Sequence, residues 1–353
     1  MKPRVLDYLA CPACGGTLDL ARADQEDGPV SESMSGEISC RSCDRCFPIV
    51  RGIPRLLLGA IDADKLRTAD NFGWEWQEFD RLHQSEDTYR LQFLDWIHPI
   101  QPDFFRDKVV LDAGCGMGRF SAASAGFGAR DVLALDLSDA VEAAYRNTSH
   151  LPNVHVVQAD IYQLPFRRPF DFAFSIGVLH HLPDPEGGFR SVVQHLKPGG
   201  SMFAWVYGRE NNAWIVGLIN PLRERVFSRL PHRALYRLSW LLAVLAQPVL
   251  KLLYRGRLSR VLPYGPYLRW LAQFGLRHNH HVIFDHLAAP TAFYLRREEF
   301  REWFRRTSLT DPVLSWRNEN SWRGWAHVAE GSVQEARDAW TQERRGQADP
   351  LRS

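Results

Sequence analysis

Residues 109–120, reading Val-Val-Leu-Asp-Ala-Gly-Cys-Gly-Met-Gly-Arg-Phe, constrain this chain more than any other stretch. The apolar, β-branched start predicts a buried parallel strand. Glycines at 114, 116 and 118 follow, and the small residues Ser121, Ala122, Ala123 and Ala125 then open a helix. Without a Cβ at those glycines, backbone N–H groups can approach a ligand closely. Strand, glycine turn and helix make half of a nucleotide-binding crevice at the carboxyl end of a parallel sheet.

A dinucleotide loop reads G-x-G-x-x-G, but Arg119 stands where its third glycine belongs. Asp112, just before the loop, would repel a pyrophosphate and attract a cationic amino acid. Both points favour S-adenosylmethionine (SAM), which carries an ammonium and a sulfonium. Residues 111–118 resemble the first motif of the class I SAM-dependent methyltransferases. Further strands follow in order: 131–136, ending in Asp136; 154–161, also ending in an acid, Asp160; 170–175; and 201–207 after the turn Lys197-Pro198-Gly199-Gly200. The spacing suits Asp136 to a ribose. The resemblance implies that Asp160 faces the adenine amino group and that the Ile161 backbone lies along the ring. The expected cofactor residues are Asp112, Gly114, Cys115, Gly116, Gly118, Asp136, Leu137, Asp160, Ile161, Ser175 and Ile176. The fold expected is α/β and Rossmann-like, a parallel sheet with a terminal antiparallel hairpin, here at 312–316 and 325–329.

Five of the six cysteines fall in the first fifty residues. Cys11-x-x-Cys14 and Cys40-x-x-Cys43 each present two thiolates to one ion, and together predict a closed, structural zinc site. Cys46 is an alternative to Cys43, though the spacing favours Cys43. With Phe47 to Leu58 the module resembles the small zinc-ribbon partner of tRNA and protein methyltransferases. Residues 21–37 read as a polar loop between the knuckles. Clustered cysteines and the lack of an apolar segment after Met-Lys-Pro-Arg predict a reducing, cytoplasmic setting.

The expected organisation is a zinc ribbon over 1–60, then a helical, aromatic linker and cofactor cap over 61–106. The methyltransferase core occupies 107–207 and 296–335, interrupted by a helical insertion over 208–295 after the fifth strand. A polar tail, 336–353, closes the chain. In the linker, Phe72-Gly73-x-x-Trp76 resembles a segment that closes over the cofactor in similar enzymes; a helix packed on the sheet edge is the other reading. From 221 to 282 eleven basic residues face one acid, Glu224, in a chain whose formal net charge is only +2. Residues 238–254 are apolar nearly all round, interrupted by Gln247, Pro248 and Lys251. They predict either a buried helix lining a hydrophobic pocket or a helix in the membrane interface flanked by arginines. A basic groove for RNA is a third reading.

Methyl transfer is an in-line displacement, so an enzyme chiefly positions the acceptor and excludes water. His180 and His181, after the fourth strand, are candidate bases, although a packing role for this turn is as well supported. Asp285 and His286 can reach the same place from the insertion. The run His278-Asn279-His280-His281 reads as a solvated loop. Exocyclic-amine methyltransferases of this fold carry an Asn/Asp-Pro-Pro-aromatic turn where this chain has Ser175-Ile176-Gly177-Val178. The preferred reading is therefore methylation at O or C of a small, apolar, quinone-, polyketide- or lipid-like molecule. Methylation of rRNA or tRNA is the alternative, and a non-catalytic SAM-binding regulator is the reading from another class. Peripheral membrane contact through 221–282 stays open, and the oligomeric state is not set by the sequence.

Overall fold

The structure, a computed structural model, describes residues 1–25, 33–59, 61–79 and 86–329. The first unit is a four-stranded antiparallel sheet: β1 (Leu18–Gln25), β2 (Ser33–Cys40), β3 (Cys46–Val50) and β4 (Ile53–Pro54). The segment read as a polar loop is mostly the β1–β2 hairpin, with 26–32 outside the described residues. Its pattern misled because the outer half of this hairpin carries polar and small residues, while its buried apolar side chains (Leu18, Ile38, Cys40) lie at the base.

Two helices follow, α1 (Ala63–Glu78) and α2 (Glu86–Trp96). The larger sheet is built from β5 (Val109–Ala113), β6 (Asp131–Asp136), β7 (Val154–Gln158), β8 (Phe170–Ile176), β9 (Leu196–Tyr207), β10 (Leu309–Arg317) and β11 (Ser321–Val328). Its order is β10-β11-β9-β8-β5-β6-β7. Strands β5 to β9 pair in parallel, and β11 lies antiparallel between β9 and β10. This is the Rossmann-like arrangement expected, with the crevice between neighbouring strands β5 and β8, whose onward connections, to β6 and to β9, lead to opposite sides. Helices α3 (Arg119–Gly126), α4 (Ala140–Thr148) and α5 (Pro185–Val193) link these strands. A parallel strand covered on both faces is largely apolar, and all five residues of β5 and of β7 are buried, with Asp112, His155 and Gln158 the polar exceptions.

Gly208 bridges Leu295, pinching off the segment between them. It contains α6 (Asn220–Arg225), α7 (His232–Val249), α8 (Gly265–Leu271) and α9 (Leu276–Ala288), before α10 (Arg297–Arg305) rejoins the sheet. Pro248 cannot donate to the helical ladder, and α7 continues beyond it as one widened turn to Tyr254.

The zinc-ribbon unit closes the free edge of β7. Arg55 bridges Gln158 in parallel register, and the Leu56 N–H donates to the Gln158 carbonyl at 2.8 Å. Behind it, Asp131 accepts from Arg4 Nη2 and Tyr8 Oη, both at 2.6 Å, with His155 Nε2 at 3.0 Å. Val5, Leu9, Phe47 and Leu56 share one apolar core with Leu111, Leu133 and Phe170. An exposed edge strand invites pairing with other chains, so this covering also protects the sheet.

Candidate active site

The two cysteine knuckles have matching turns: Gly15 N–H donates to Cys11 O at 2.8 Å, and Asp44 N–H to Cys40 O at 3.1 Å. Gly15 and Asp44 both take positive φ to close them. All four Sγ atoms of Cys11, Cys14, Cys40 and Cys43 lie within 4.8 Å of one another, with Cys14–Cys40 at 3.5 Å and Cys11–Cys43 at 3.7 Å. Tetrahedral zinc with bonds of about 2.3 Å sets sulfur atoms roughly 3.8 Å apart, so the cluster fits a structural zinc with no open position. Cys46 lies outside it, exposed, its Sγ near the Asp44 carbonyl.

Across the sheet's carboxyl end runs a cavity of about 220 Å³. One half is walled by Gly114, Cys115, Gly116, Asp136, Leu137, Asp160, Ile161 and Ile176. Gly116 needs to be glycine: its φ is +52°, and a Cβ there would stand 3.0 Å from the Trp76 indole. Its N–H donates to Asp136 Oδ2 at 3.0 Å, while Asp136 Oδ1 accepts from Ser138 N (2.9 Å) and Oγ (2.7 Å). A carboxylate has about four acceptor sites, which leaves capacity toward the cavity. Asp160 is paired with Lys65 Nζ at 2.9 Å, so α1 reaches over this half and brings Phe72 and Trp76 into the wall. Glycine backbone, a fixed acid at the end of β6 and a second acid after β7 fit SAM.

Three of the expected cofactor residues sit elsewhere. Asp112 is buried behind the loop, accepting from Ser121 Oγ at 2.6 Å, and burial raises its pKa to about 7. Ser175 Oγ donates to the Ala113 carbonyl at 2.8 Å. Gly118 packs on Ala144, where a Cβ would come within 3.1 Å of that residue's Cα. None of the three lines the cavity.

The other half is aromatic and comes from distant parts of the chain: Trp96 from α2, Trp205 and Tyr207 from β9, Tyr267 and Trp270 from α8. Arg317 enters from β10, anchored on Asp95 and stacked over Trp96 and Trp270. Asp285 and His286 lie on α9 and line this half. Burial, then repulsion from Glu75, pushes Asp285 up to about 7. Burial lowers His286 to about 4, leaving it neutral beside Tyr267 Oη at 3.0 Å. The run 278–281 is helical, with His278, Asn279 and His280 buried and His281 partly so, not a solvated loop, and His278 and His281 face the cavity. His281 Nε2 lies 2.8 Å from Glu75 Oε1, both groups driven toward their neutral forms by burial.

Of the two adjacent histidines, only His181 lines the cavity. Its Nδ1 is 2.6 Å from the Thr291 carbonyl, which fixes the proton there, and burial lowers its pKa to about 3. His180 is fully buried away from the cavity, its ring 4.0 Å from that of Tyr207. No residue of α7 lines the cavity, so the reading of 238–254 as a buried pocket helix is overturned; α8 and α9 take that place. Sequence reading missed Glu75, Arg317 and the aromatic wall. Glu75, an acid set between Trp74 and Trp76, was the one signal available.

Residues 111–204 match the methyltransferase domain family, and residues 2–52 match the Trm112p-like protein family. A ubiquinone biosynthesis O-methyltransferase of Thiobacillus denitrificans is 30% identical over 179 residues, 48% of this chain and 73% of that protein. A tRNA U34 carboxymethyltransferase of Pseudoalteromonas atlantica is 31% identical over 126 residues, 33% of this chain and 39% of that protein. Against several such relatives the chain spans less than two thirds of their length. A solved complex of the Haloferax volcanii Trm112 methyltransferase activator with a methyltransferase covers 77% of this chain and 100% of that one, at 14% identity and a TM-score of 0.43. With the glycine loop, its acids and the four-cysteine cluster in place, this chain belongs to the class I SAM-dependent methyltransferases and carries a Trm112p-like zinc-ribbon module at its amino end.

Proposed function

We propose that this enzyme methylates an oxygen of a small aromatic or quinol-type acceptor held in the aromatic half of the cavity. The observation that carries this reading is Asp285: a carboxyl lining an aromatic chamber, with a pKa near 7. SAM, when bound, supplies an electrophilic methyl group on a sulfonium. A phenolic oxygen attacks once its proton has somewhere to go, and Asp285, as a carboxylate, takes it. Tyr207 Oη, 3.5 Å from Asp285 Oδ2, orients that carboxyl. Trp96, Trp205 and Trp270 stack on the acceptor ring and exclude water. The similarity to an O-methyltransferase of ubiquinone biosynthesis supports an oxygen acceptor, while the tRNA-modifying relatives favour RNA as the second reading.

The test is transfer of labelled methyl from SAM to an alkyl-substituted catechol and, separately, to unmodified total tRNA. Label in the organic extract, with D285N slower by about 10²- to 10⁴-fold at unchanged SAM affinity, is the expected result. In the wild type kcat/KM should rise with pH through about 7, and D285N should lose that limb. Label confined to tRNA refutes the proposal.

A further inference from the structure

Helix α7 has two apolar sides. Leu235, Ser239 and Ala243, four residues apart, form a narrow buried stripe against α9, where Ser239 Oγ meets His280 Nε2 at 3.0 Å. The opposite side carries Leu241, Val244, Leu245, Val249 and Leu252, all exposed, Leu252 at 79%. A surface helix of a water-facing protein puts polar residues there. Thirteen of the eighteen large apolar side chains exposed among the described residues lie between Trp214 and Val261. His232–Tyr254 is long and apolar enough to cross a membrane, yet its buried stripe is held by the body of the enzyme: Lys251 Nζ bonds the carbonyls of Ala272 (2.7 Å) and Phe274 (2.9 Å).

The charges flanking this face along the chain are positive, Glu224 apart. Exposed Arg225, Arg229, Arg233 and Arg237 precede it, and Arg255 and Arg260 follow. From 211 to 284 the only acid is Glu224. A ring of arginines around an apolar patch complements anionic headgroups around acyl chains. RNA would use the arginines and could stack on the exposed Trp214 and Trp240, but eleven of those thirteen side chains are leucine or valine, for which base stacking has no use.

We infer that α7 lies flat in the interface of an anionic bilayer and seats the insertion on the membrane. Helix α9, on which α7 packs, lines the acceptor half of the cavity. Resting on the acceptor proposed above, this gives a lipid-soluble substrate a route from the bilayer into the chamber.

The experiment is co-sedimentation of the full chain with vesicles of phosphatidylcholine containing 30% phosphatidylglycerol, beside the triple variant L241D/L245D/L252D. Binding that falls at least about tenfold in the variant, and weakens as salt rises, is expected. Circular dichroism and methyl transfer to a water-soluble acceptor should be unchanged in the variant, because none of these leucines touches the cavity. Three outcomes overturn the inference: no vesicle binding by the wild type, equal binding by the variant, or a dimer in sedimentation equilibrium that the substitutions dissolve without any vesicle binding. Filter retention of tRNA at physiological salt without vesicle binding would assign the arginines to RNA and equally refute it. Vesicle binding is read without catalysis, so a wrong acceptor would leave this result standing.

Discussion

Replacing Arg55 with alanine should weaken SAM binding from outside the cofactor site. Arg55 leaves the zinc-ribbon unit and lies between Gln158 at the end of β7 and Glu142 on α4. Its Nη1 donates to Gln158 Oε1 at 2.6 Å, and the Gln158 amide then donates to the Leu137 carbonyl at 2.9 Å. Leu137 lines the cavity next to Asp136, so two hydrogen bonds connect the ribbon to the cofactor loop. Arg55 and Glu142 keep only 12% and 11% of their side-chain surface exposed. Breaking a buried pair costs about 3–5 kcal/mol, and this slight exposure brings the stability loss to about 2–4 kcal/mol. The part reaching SAM is smaller. Gln158, freed at one end, holds Leu137 by a neutral hydrogen bond worth about 1 kcal/mol, and losing that order raises the Kd by roughly fivefold to tenfold. Lysine can still pair with Glu142 but cannot fork to Gln158, so R55K should recover stability more than affinity. Calorimetric titration with SAM, beside urea unfolding of the same variants, separates the two effects. An R55A protein that is destabilised yet binds SAM within twofold of wild type would refute the coupling.

Three further outcomes follow from the geometry. G116V places a side chain at a positive φ and against Trp76, so SAM binding should fall more than about tenfold by calorimetry while the fold persists. Chelation under reducing conditions should release one zinc per chain and unfold the ribbon, read as loss of β signal and of the docked state by proteolysis; release of none would refute the four-thiolate site. Asp285 is raised in the folded state, so its contribution to stability is fully present below the unfolded pKa and lost as pH rises through about 7. D285N should therefore gain stability over the wild type above pH 7 in urea unfolding, although it loses activity.

The cofactor half was legible because its chemistry is local. Each strand is an apolar run and each acid stands at its end, so Asp136 and Asp160 could be read from position alone. Asp112 obeys the same pattern yet turns inward to Ser121, since a residue within the last buried strand positions has no route to the crevice. The cysteine knuckles were equally local. The acceptor half was not, because Trp96, Trp205, Trp270 and Arg317 are brought together over more than two hundred residues of chain. His278 and His281 misled for a related reason: four polar residues in a row look solvated until Phe79, Trp270 and Phe274 close over them.

The position of the ribbon explains why such a module is worth carrying ahead of the catalytic fold. Strand β6 is six residues long, about 20 Å, with Asp131 at one end under Arg4, Tyr8 and His155, and Asp136 at the other in the cofactor half. Strand β7 repeats the arrangement: its edge is covered by Arg55 and Leu56, and its last residue, Gln158, holds Leu137. Asp136 and Asp160 thus follow the two strands at one end of the sheet, and the outermost would present an open edge without the ribbon. Zinc supplies folding energy that fifty residues lack the core to provide, and the ribbon passes that rigidity to β6 and β7. On this argument the metal stabilises SAM binding without approaching the reacting methyl, and its loss should raise the Kd for SAM before it abolishes the fold of the larger sheet.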